Sequence, residues 1–313
     1  MDVLGVTVLG MDLEGLTGKS NDFAKAVAIY LRESHNPLRI IHPLFESIWF
    51  LECNKDLKFC LALLKDRIGS LIAKKKVQRE GKKTEALDLF DLLIDALSDP
   101  DPAQRLTEPS VFGNVLLMIL AGHETTSNAL TWCFYHLAKY PELQERVYQE
   151  IQTVLNGADP TVESIKELQY LSRFMKENMR LMPPVGLVPG RKCGEDLAIP
   201  GTNYILPKGA FVSYSVWAIH RDPKHWTEPE KFNPDRFLPE NSKNRNPHAY
   251  MPFSFGKRMC IGHQFSLIEQ QFLLSIILQR FKVIPVSKSY RLRMGVVVAP
   301  EELFVRFEPR NPQ

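Results

Sequence analysis

Apolar residues recur at every third or fourth position along much of the chain, a spacing that predicts amphipathic helices. The strongest such patterns cover residues 54–79 and 110–140. Pro109 opens the second pattern and Pro141 stops it, which predicts one helix of about 30 residues, or about 45 Å at 1.5 Å per residue. A helix of that length must be central to its domain. Shorter helical patterns cover 22–32, 87–97, 143–155, 168–182 and 261–281.

The pattern changes after Pro183 and Pro184, where short alternating stretches replace the helical spacing. Alternation of apolar and polar residues is typical of strands, and glycine and proline between two such stretches indicate a turn. Strands are predicted at 196–205, 210–216, 282–285 and 303–307. The sequence therefore predicts a mainly α fold with a small β portion, in a single domain over residues 1–313.

Composition fits a globular chain with a sizeable core, because 44% of the 313 residues are hydrophobic and 24% are charged. The formal net charge is only +3, which argues against a nucleic-acid partner. The odd number of cysteines, five, and the lack of a signal peptide indicate reduced thiols in a cytosol-facing protein. The longest apolar run, 111–122, ends at His123, so no transmembrane helix is predicted.

The predicted central helix has a polar insert in its middle. Apolar residues through 111–122 give way to the sequence HETTSN at 123–128, and apolar character resumes at Ala129. A buried polar group without a partner costs about 1 to 3 kcal/mol, so a polar insert in a core-crossing helix needs a reason. Two interpretations stay open with equal weight. The insert forms a water-lined reaction site, where Gly122 lets another group approach the backbone, or it is a stripe of side chains facing solvent.

The sequence FSFGKRMCIG at 253–262 places one cysteine directly before a long helical pattern. Gly256 and Gly262 permit tight turns that aim peptide N–H groups at the sulfur, and the start of the helix adds a partial positive charge. Both effects favour the thiolate of Cys260, a soft metal ligand that we interpret as a ligand of haem iron. Arg258 is then suited to pair with a haem propionate.

Three charged residues outside these stretches are candidates for one ion-paired cluster. Glu177 and Arg180 lie at i and i+3 of a predicted helix, where an exposed pair would contribute only about 0.2 to 0.5 kcal/mol. The rest of that helix is apolar, so the pair is expected to be partly buried and to need further partners. Arg236, within the sequence PDRF at 234–237, is the predicted third member.

Four motifs occur in order along the chain: AGHETT at 121–126, ENMR at 177–180, PDRF at 234–237 and the cysteine loop at 253–262. Their order and spacing resemble cytochrome P450, the haem-thiolate monooxygenase family, over nearly the whole chain. The resemblance implies a P450-like fold and haem b as the cofactor, with Cys260 as the axial thiolate ligand of the iron.

The resemblance also implies a role for each motif. Glu124 and Thr125 match the acid and the alcohol that manage protons for bound dioxygen, and they are the predicted catalytic residues. Glu177, Arg180 and Arg236 resemble the structural triad of the family. The predicted cofactor-binding residues are Cys260, Phe253, Gly256, Arg258, Gly262, Arg191, Ala121 and Gly122.

An enzyme of this kind inserts one oxygen atom from O2 into a small apolar organic substrate, using electrons from a reductase that is expected to depend on NADPH. Chains of the family are usually much longer, so an N-terminally truncated member that lacks the N-terminal part of the fold is expected. Association with the endoplasmic reticulum membrane also follows from the resemblance, with the anchor outside this chain. The alternative hypothesis is a catalytically silent fragment that does not retain haem and acts, if at all, by binding partners.

Overall fold

In the computed structural model of the chain, the residues described are 2–10, 22–34, 45, 48, 51–80, 88–294 and 297–310. By its internal contacts the chain divides into two compact units, residues 1–124 and 125–313. The single domain expected over residues 1–313 stays a prediction. Each unit has its own hydrophobic core, so each is described by itself.

Helices make up the regular structure of the first unit, as far as it is described. They are α1 (Asp2–Val8), α2 (Asp22–Ser34), α3 (Glu52–Arg79), α4 (Leu89–Asp95) and the first part of α5 (Glu108–Lys139). The buried residues of α3 and α5 follow the three-to-four spacing seen in the sequence, which is why these helices form where the pattern predicts them. The core includes Phe23, Val27, Cys60, Leu64, Ile68, Phe90, Val111, Val115 and Ile119.

A buried charged cluster fixes α3 to α4. The Nζ atom of Lys75 lies 2.6 Å from the carboxylate of Asp88 and 3.0 Å from that of Asp91. The two aspartates also cap α4, because the side chain of Asp88 accepts the N–H of Asp91 and the side chain of Asp91 accepts the N–H of Asp88. The lysine therefore neutralises two carboxylates that the helix start brings together.

The second unit contains the rest of α5 and the helices that follow it. These are α6 (Pro141–Leu155), α7 (Gln169–Leu181), α8 (Val216–Ile219), α9 (Pro239–Ser242) and α10 (His263–Arg280). Pro141 ends α5 and begins α6, in the first-turn position where its missing N–H costs least. The core that these helices enclose includes Cys133, Leu137, Val147, Ile151, Leu171, Phe174, Leu274 and Leu278.

Short antiparallel pairs of strands complete the second unit. They are β1 (Leu187–Lys192) with β4 (Phe211–Ser215), β2 (Leu197–Ala198) with β3 (Ile205–Leu206), β5 (Phe281–Pro285) with β8 (Val305–Pro309), and β6 (Arg291–Met294) with β7 (Val298–Glu301). The mainly α fold with a small β portion is confirmed. The sequence analysis missed β1, β6 and β7, and it merged β2 and β3 into one strand. Pro189 and Gly190 explain the first miss, since they lie at a shift in the β1–β4 register and break the alternation.

Candidate functional site

The cysteine loop is held by its own backbone. The N–H of Cys260 donates to the carbonyl of Phe253 at 2.9 Å, and the N–H of Met259 donates to the carbonyl of Gly256 at 3.0 Å. A short 3₁₀ helix, Gly256–Arg258, lies between these closures. Gly256 has φ of +74°, a left-handed conformation that favours glycine, and Ser254 has φ of +66° without being glycine. The loop therefore has a defined shape with some backbone strain at Ser254.

Gly262 has a different role from the one expected. Its φ is −82°, which any residue adopts, so the chain does not need glycine there for the turn. It is the N-cap of α10, and a side chain at this position would start 3.8 Å from the Cys260 sulfur. Helix α10 begins at His263, two residues later than the sequence pattern predicted. The N-terminus of a long helix thus directly follows Cys260, as the thiolate argument requires.

Cys260 itself is exposed, and the apolar residues around it are exposed as well. Phe255 is 57% exposed, Met259 50% and Ile261 89%. The ring of Phe253 packs on the ring of His263, with 4.5 Å between the centroids. A sulfur presented on an apolar surface suits a flat apolar group better than it suits solvent.

Two long-range contacts anchor the loop, and the sequence analysis found neither. The hydroxyl groups of Tyr214, in β4, and Ser254 are 2.6 Å apart. Just before the loop, the N–H of Met251 donates to Nε2 of His220 at 2.9 Å, and Nδ1 of His220 lies 3.1 Å from the carbonyl oxygen of Arg180. The histidine is therefore neutral, with its proton on Nδ1, and burial lowers its pKa to about 3.

The predicted trio of charged residues lies together in the second unit. The carboxylate of Glu177 accepts two bonds from Arg180, at 2.7 and 2.9 Å, and one from Nε of Arg236 at 3.0 Å. It also accepts the N–H of Asn233 at 2.8 Å. Arg180 also donates to the carbonyl of His220 at 2.8 Å and to that of Lys231 at 3.4 Å. Glu177 and Arg180 are fully buried, so this network joins α7 to the irregular segment before the cysteine loop.

The polar insert of α5 is neither wholly buried nor wholly solvated. Thr126 is buried, and its hydroxyl oxygen lies 3.0 Å from that of Ser266 in α10. Glu124 and Thr125 are half-buried, and Ala121 is exposed. The insert is therefore not a single solvent-facing stripe, and the reaction site stays a prediction.

Gly122 lies beside the flexible side chain of Leu4, in the same unit. A Cβ atom there would lie 2.8 Å from a methyl carbon of Leu4, closer than atoms pack. His123, the next residue, is half-buried, and burial lowers its pKa. The approach that the sequence suggested at Gly122 is made by helix α1 within the first unit.

Arg191 and Arg258 are both exposed, and within the described part of the chain neither guanidinium forms an ion pair or hydrogen bond. Arg191 lies in β1 opposite Val212 of β4, two residues from Tyr214, whose hydroxyl bonds the cysteine loop. Strand β4 therefore contacts both β1, which carries Arg191, and the cysteine loop, which carries Arg258.

The donor set fits a haem. Among the described residues, no group of three His, Cys, Asp or Glu side chains could hold a bare metal ion. A single exposed sulfur suits a metal whose other ligands come from a macrocycle, and a haem iron held by a cysteine thiolate is such a case. The exposed apolar side chains beside the sulfur could contact the apolar macrocycle of a haem. Arg258, two residues from the sulfur, could pair with a carboxylate on the edge of that macrocycle.

The comparisons with known proteins agree with this geometry. The sequence profile of the family described as Cytochrome P450 matches residues 1–307. The chain therefore belongs to the cytochrome P450 family.

Named relatives match between 72% and 99% of this chain, while the chain covers only part of each of them. Cytochrome P450 4c21 of Blattella germanica is 31% identical over 99% of this chain and 64% of its own length. Leukotriene-B4 omega-hydroxylase 3 of Mus musculus is 32% identical over 93% of this chain and 58% of its own length. For human Cytochrome P450 4F2 the identity is 37%, over 72% of this chain and 44% of that protein.

Solved structures show the same fold. The crystal structure of the cytochrome P450DA heme domain has a TM-score of 0.81 at 28% identity, covering 99% of this chain and 64% of that one. A second cytochrome P450 crystal structure has a TM-score of 0.86 at 23% identity, covering 99% of this chain and 70% of that one, and supports the fold alone. None of the helices in the described residues has the length and apolar character needed to cross a membrane.

Proposed function

We propose that this chain is the haem-binding part of a haem-thiolate monooxygenase, which inserts one atom of O2 into a small apolar organic substrate and releases the other as water. The observation that carries the proposal is Cys260, exposed at the N-terminus of α10 in a loop whose backbone is closed by its own hydrogen bonds. The family to which the chain belongs supports the same activity. Because the chain spans 64% or less of the relatives named above, the activity belongs to the proposal.

The role of the loop is to present the sulfur of Cys260 as a thiolate to haem b. When bound, the haem supplies the chemistry of oxygen activation, which a protein side chain does not provide. The exposed apolar side chains beside the sulfur would shield a bound haem from water, and α10 begins three residues after this thiolate ligand. Arg258 and Arg191 neutralise the propionates, and Phe253, Gly256 and Gly262 shape the surface around the sulfur.

Glu124 and Thr125 act as the proton-handling pair of the reaction. Both are half-buried in the polar insert of α5, where a carboxylate and a hydroxyl can exchange protons with water and pass them inward. Ala121 and Gly122, one turn earlier, complete the segment of α5 assigned to cofactor binding. Because these residues lie on a helix and not on a loop, the packing of α5 fixes their positions.

The substrate and the electron donor follow from the family. One relative is named an omega-hydroxylase of leukotriene B4, which supports hydroxylation of an apolar carbon chain by a protein of this kind. Electrons come from a reductase, proposed to be NADPH-dependent, and neither nucleic acid nor a second metal takes part. A cytosol-facing position at the endoplasmic reticulum membrane is the proposed location.

The experiment is the spectrum of the reduced, carbon monoxide-treated chain expressed with haem. A thiolate-ligated haem gives a strongly red-shifted Soret band, and Cys260→Ser should abolish it while haem-free folding persists. Cys193→Ser is the matched control, because Cys193 is a half-buried cysteine outside the loop and its loss should leave the band in place. A parent chain that carries a full complement of haem but lacks the shifted band would contradict the proposal, and a folded parent chain that retains no haem would favour the silent-fragment alternative.

A second experiment separates the proton-handling role from haem binding. Thr125→Ala should keep the shifted band yet lower the product formed per NADPH consumed by about tenfold, because a general acid–base contribution is lost. Ser127→Ala, two residues along the same helix at an exposed position, should leave this ratio at the parent value. Equal ratios in Thr125→Ala and the parent would remove the role given to Thr125.

A further inference from the structure

A buried hydrogen-bonded trio connects α5 to α10 inside the second unit. The hydroxyl oxygens of Thr126 and Ser266 are 3.0 Å apart, and Nε2 of Gln270 donates to Ser266 Oγ at 3.1 Å and to the Ser266 carbonyl at 3.1 Å. Thr126 is 4% exposed, Ser266 9% and Gln270 0%. The structure thus encloses three polar side chains where apolar ones would pack at no desolvation cost.

Gln270 sets the direction of its own bonds to Ser266. Its amide nitrogen only donates, so Ser266 Oγ accepts from Gln270, and in the bond between Ser266 and Thr126 either hydroxyl can be the donor. The other amide atom of Gln270, Oε1, is buried and accepts no hydrogen bond within the described residues. The carbonyl oxygen of Ser266 can only accept, so the bond at 3.1 Å requires the donor end of the Gln270 amide to face Ser266.

The trio lies next to two parts of the proposed site, Thr125 in α5 and the start of α10 after Cys260. Thr126 directly follows Thr125 in α5, and neighbouring residues of a helix are about 100° apart around its axis. Ser266 lies in the first turn of α10, where its N–H donates to the carbonyl of Gly262 at 2.8 Å, and Cys260 is two residues before that glycine. A bond between Thr126 and Ser266 therefore fixes the rotation of α5 at Thr125 relative to the helix that starts after Cys260.

We propose that Ser266, supported by Gln270, is a positioning residue for the reaction: its hydroxyl holds Thr126 and thereby sets the direction in which the Thr125 hydroxyl points. This inference rests on the proposed function and deepens it. Ser266 touches neither substrate nor the sulfur in this role, and it acts only through α5. The consequence is that loss of the Ser266 hydroxyl misdirects protons without displacing the cysteine loop.

The first test measures the contact without any activity. In thermal unfolding of the full chain, Thr126→Val and Ser266→Ala should each lower the midpoint by about 2 to 4 °C, and the double variant should lower it by clearly less than the sum. The control is Ser275, fully buried on the same helix, whose hydroxyl donates to the carbonyl of Phe272 in its own helix. Thr126→Val and Ser275→Ala should be additive. Additivity in both pairs would overturn the contact.

The second test measures what a purely structural bond would not change. Ser266→Ala should keep the red-shifted carbon monoxide band at parent intensity per haem, while the product formed per NADPH falls about threefold or more and peroxide release rises. Ser266→Thr, which keeps the hydroxyl, should restore the ratio towards the parent value. An unchanged ratio in Ser266→Ala, or a loss that Ser266→Thr fails to restore, would overturn the positioning role.

The two proposals fail in distinguishable ways. A parent chain without the shifted band refutes the proposed function and with it any catalytic effect of Ser266, while the unfolding cycle still decides whether Thr126 and Ser266 interact. A parent chain with the band, a non-additive unfolding cycle and an unchanged product ratio refutes the positioning role alone.

Discussion

At the scale of single residues, the bond between Tyr214 and Ser254 offsets a strained backbone. Ser254 has φ of +66°, which costs a residue with a side chain about 1 kcal/mol or more relative to glycine. The hydroxyl of Tyr214, 2.6 Å from that of Ser254, holds the serine in this conformation. A tyrosine on a strand therefore sets the shape of the loop that presents Cys260.

Tyr214→Phe removes only this hydroxyl and should lower the free energy of unfolding by about 1 kcal/mol, the usual contribution of one hydrogen bond. Urea unfolding measures the loss. Tyr204→Phe is the control, since Tyr204 is 73% exposed and its substitution should change the free energy by less than about 0.5 kcal/mol. Equal effects of the two variants would show that the Tyr214 hydroxyl does not support the loop.

The sequence predicts the role of a residue when the residues next to it in the chain form a recognisable pattern. Cys260 was predicted from adjacent glycines, an arginine and a following helix. His220 and Tyr214 were missed because their partners, Met251 and Ser254, lie 31 and 40 positions away. A buried histidine that holds a backbone N–H leaves no local pattern, and its role follows only from the fold.

At the scale of elements, α7 begins with no cap of its own. The residue before it, Leu168, has no side chain that accepts a hydrogen bond, and the carboxylate of Glu150 in α6 takes its place. Glu150 accepts the N–H of Tyr170 at 2.6 Å and that of Leu171 at 2.8 Å. One helix thus supplies the N-cap of the next, and α7 carries Glu177 and Arg180.

Glu150→Ala should lower the free energy of unfolding by about 1 to 2 kcal/mol, because two backbone donors lose a charged acceptor. Glu145→Ala, in the same helix, removes an ion pair to Arg310 at 3.6 Å and an exposed hydrogen bond from Gln149 at 3.4 Å, and it should cost about 0.5 kcal/mol or less. Denaturant unfolding of both variants compares them directly. A loss at Glu150 no larger than that at Glu145 would mean that water caps α7 equally well.

The sequence predicts best those elements in which the apolar pattern repeats many times. Helices α2, α3, α5 and α7 agree with the pattern to within two residues, because many apolar positions fix their phase. Strands β6 and β7, of four residues each, offer too few positions for an alternation to stand out. Their antiparallel pairing, with Arg291 opposite Glu301, follows from the fold and not from a local preference.

At the scale of the whole second unit, buried histidines make its stability depend on pH. His136 is 2% exposed and stacks on Phe232 with ring centroids 4.3 Å apart. Its Nδ1 lies 2.8 Å from Oδ1 of Asn178, whose amide nitrogen donates to the carbonyl of Ala129. Burial lowers the pKa of His136 to about 3, as it does for His220.

The unfolded chain binds a proton at each of these histidines near the ordinary pKa of about 6.5, whereas the native chain binds it only near 3. The contribution of each neutral histidine to stability is therefore complete above about pH 6.5. The free energy of unfolding should fall on acidification towards pH 3, by up to about 1.4 kcal/mol per pH unit for each histidine.

His136→Gln, which cannot take up the proton, should reduce this pH dependence by the contribution of one histidine, as measured by urea unfolding at pH 7.5, 6 and 5. Phe232→Leu is the control, because it weakens packing on His136 without removing the titrating group and should lower stability at every pH with the slope retained. A His136→Gln slope equal to that of the parent would show that the buried ring is not neutral in the native chain.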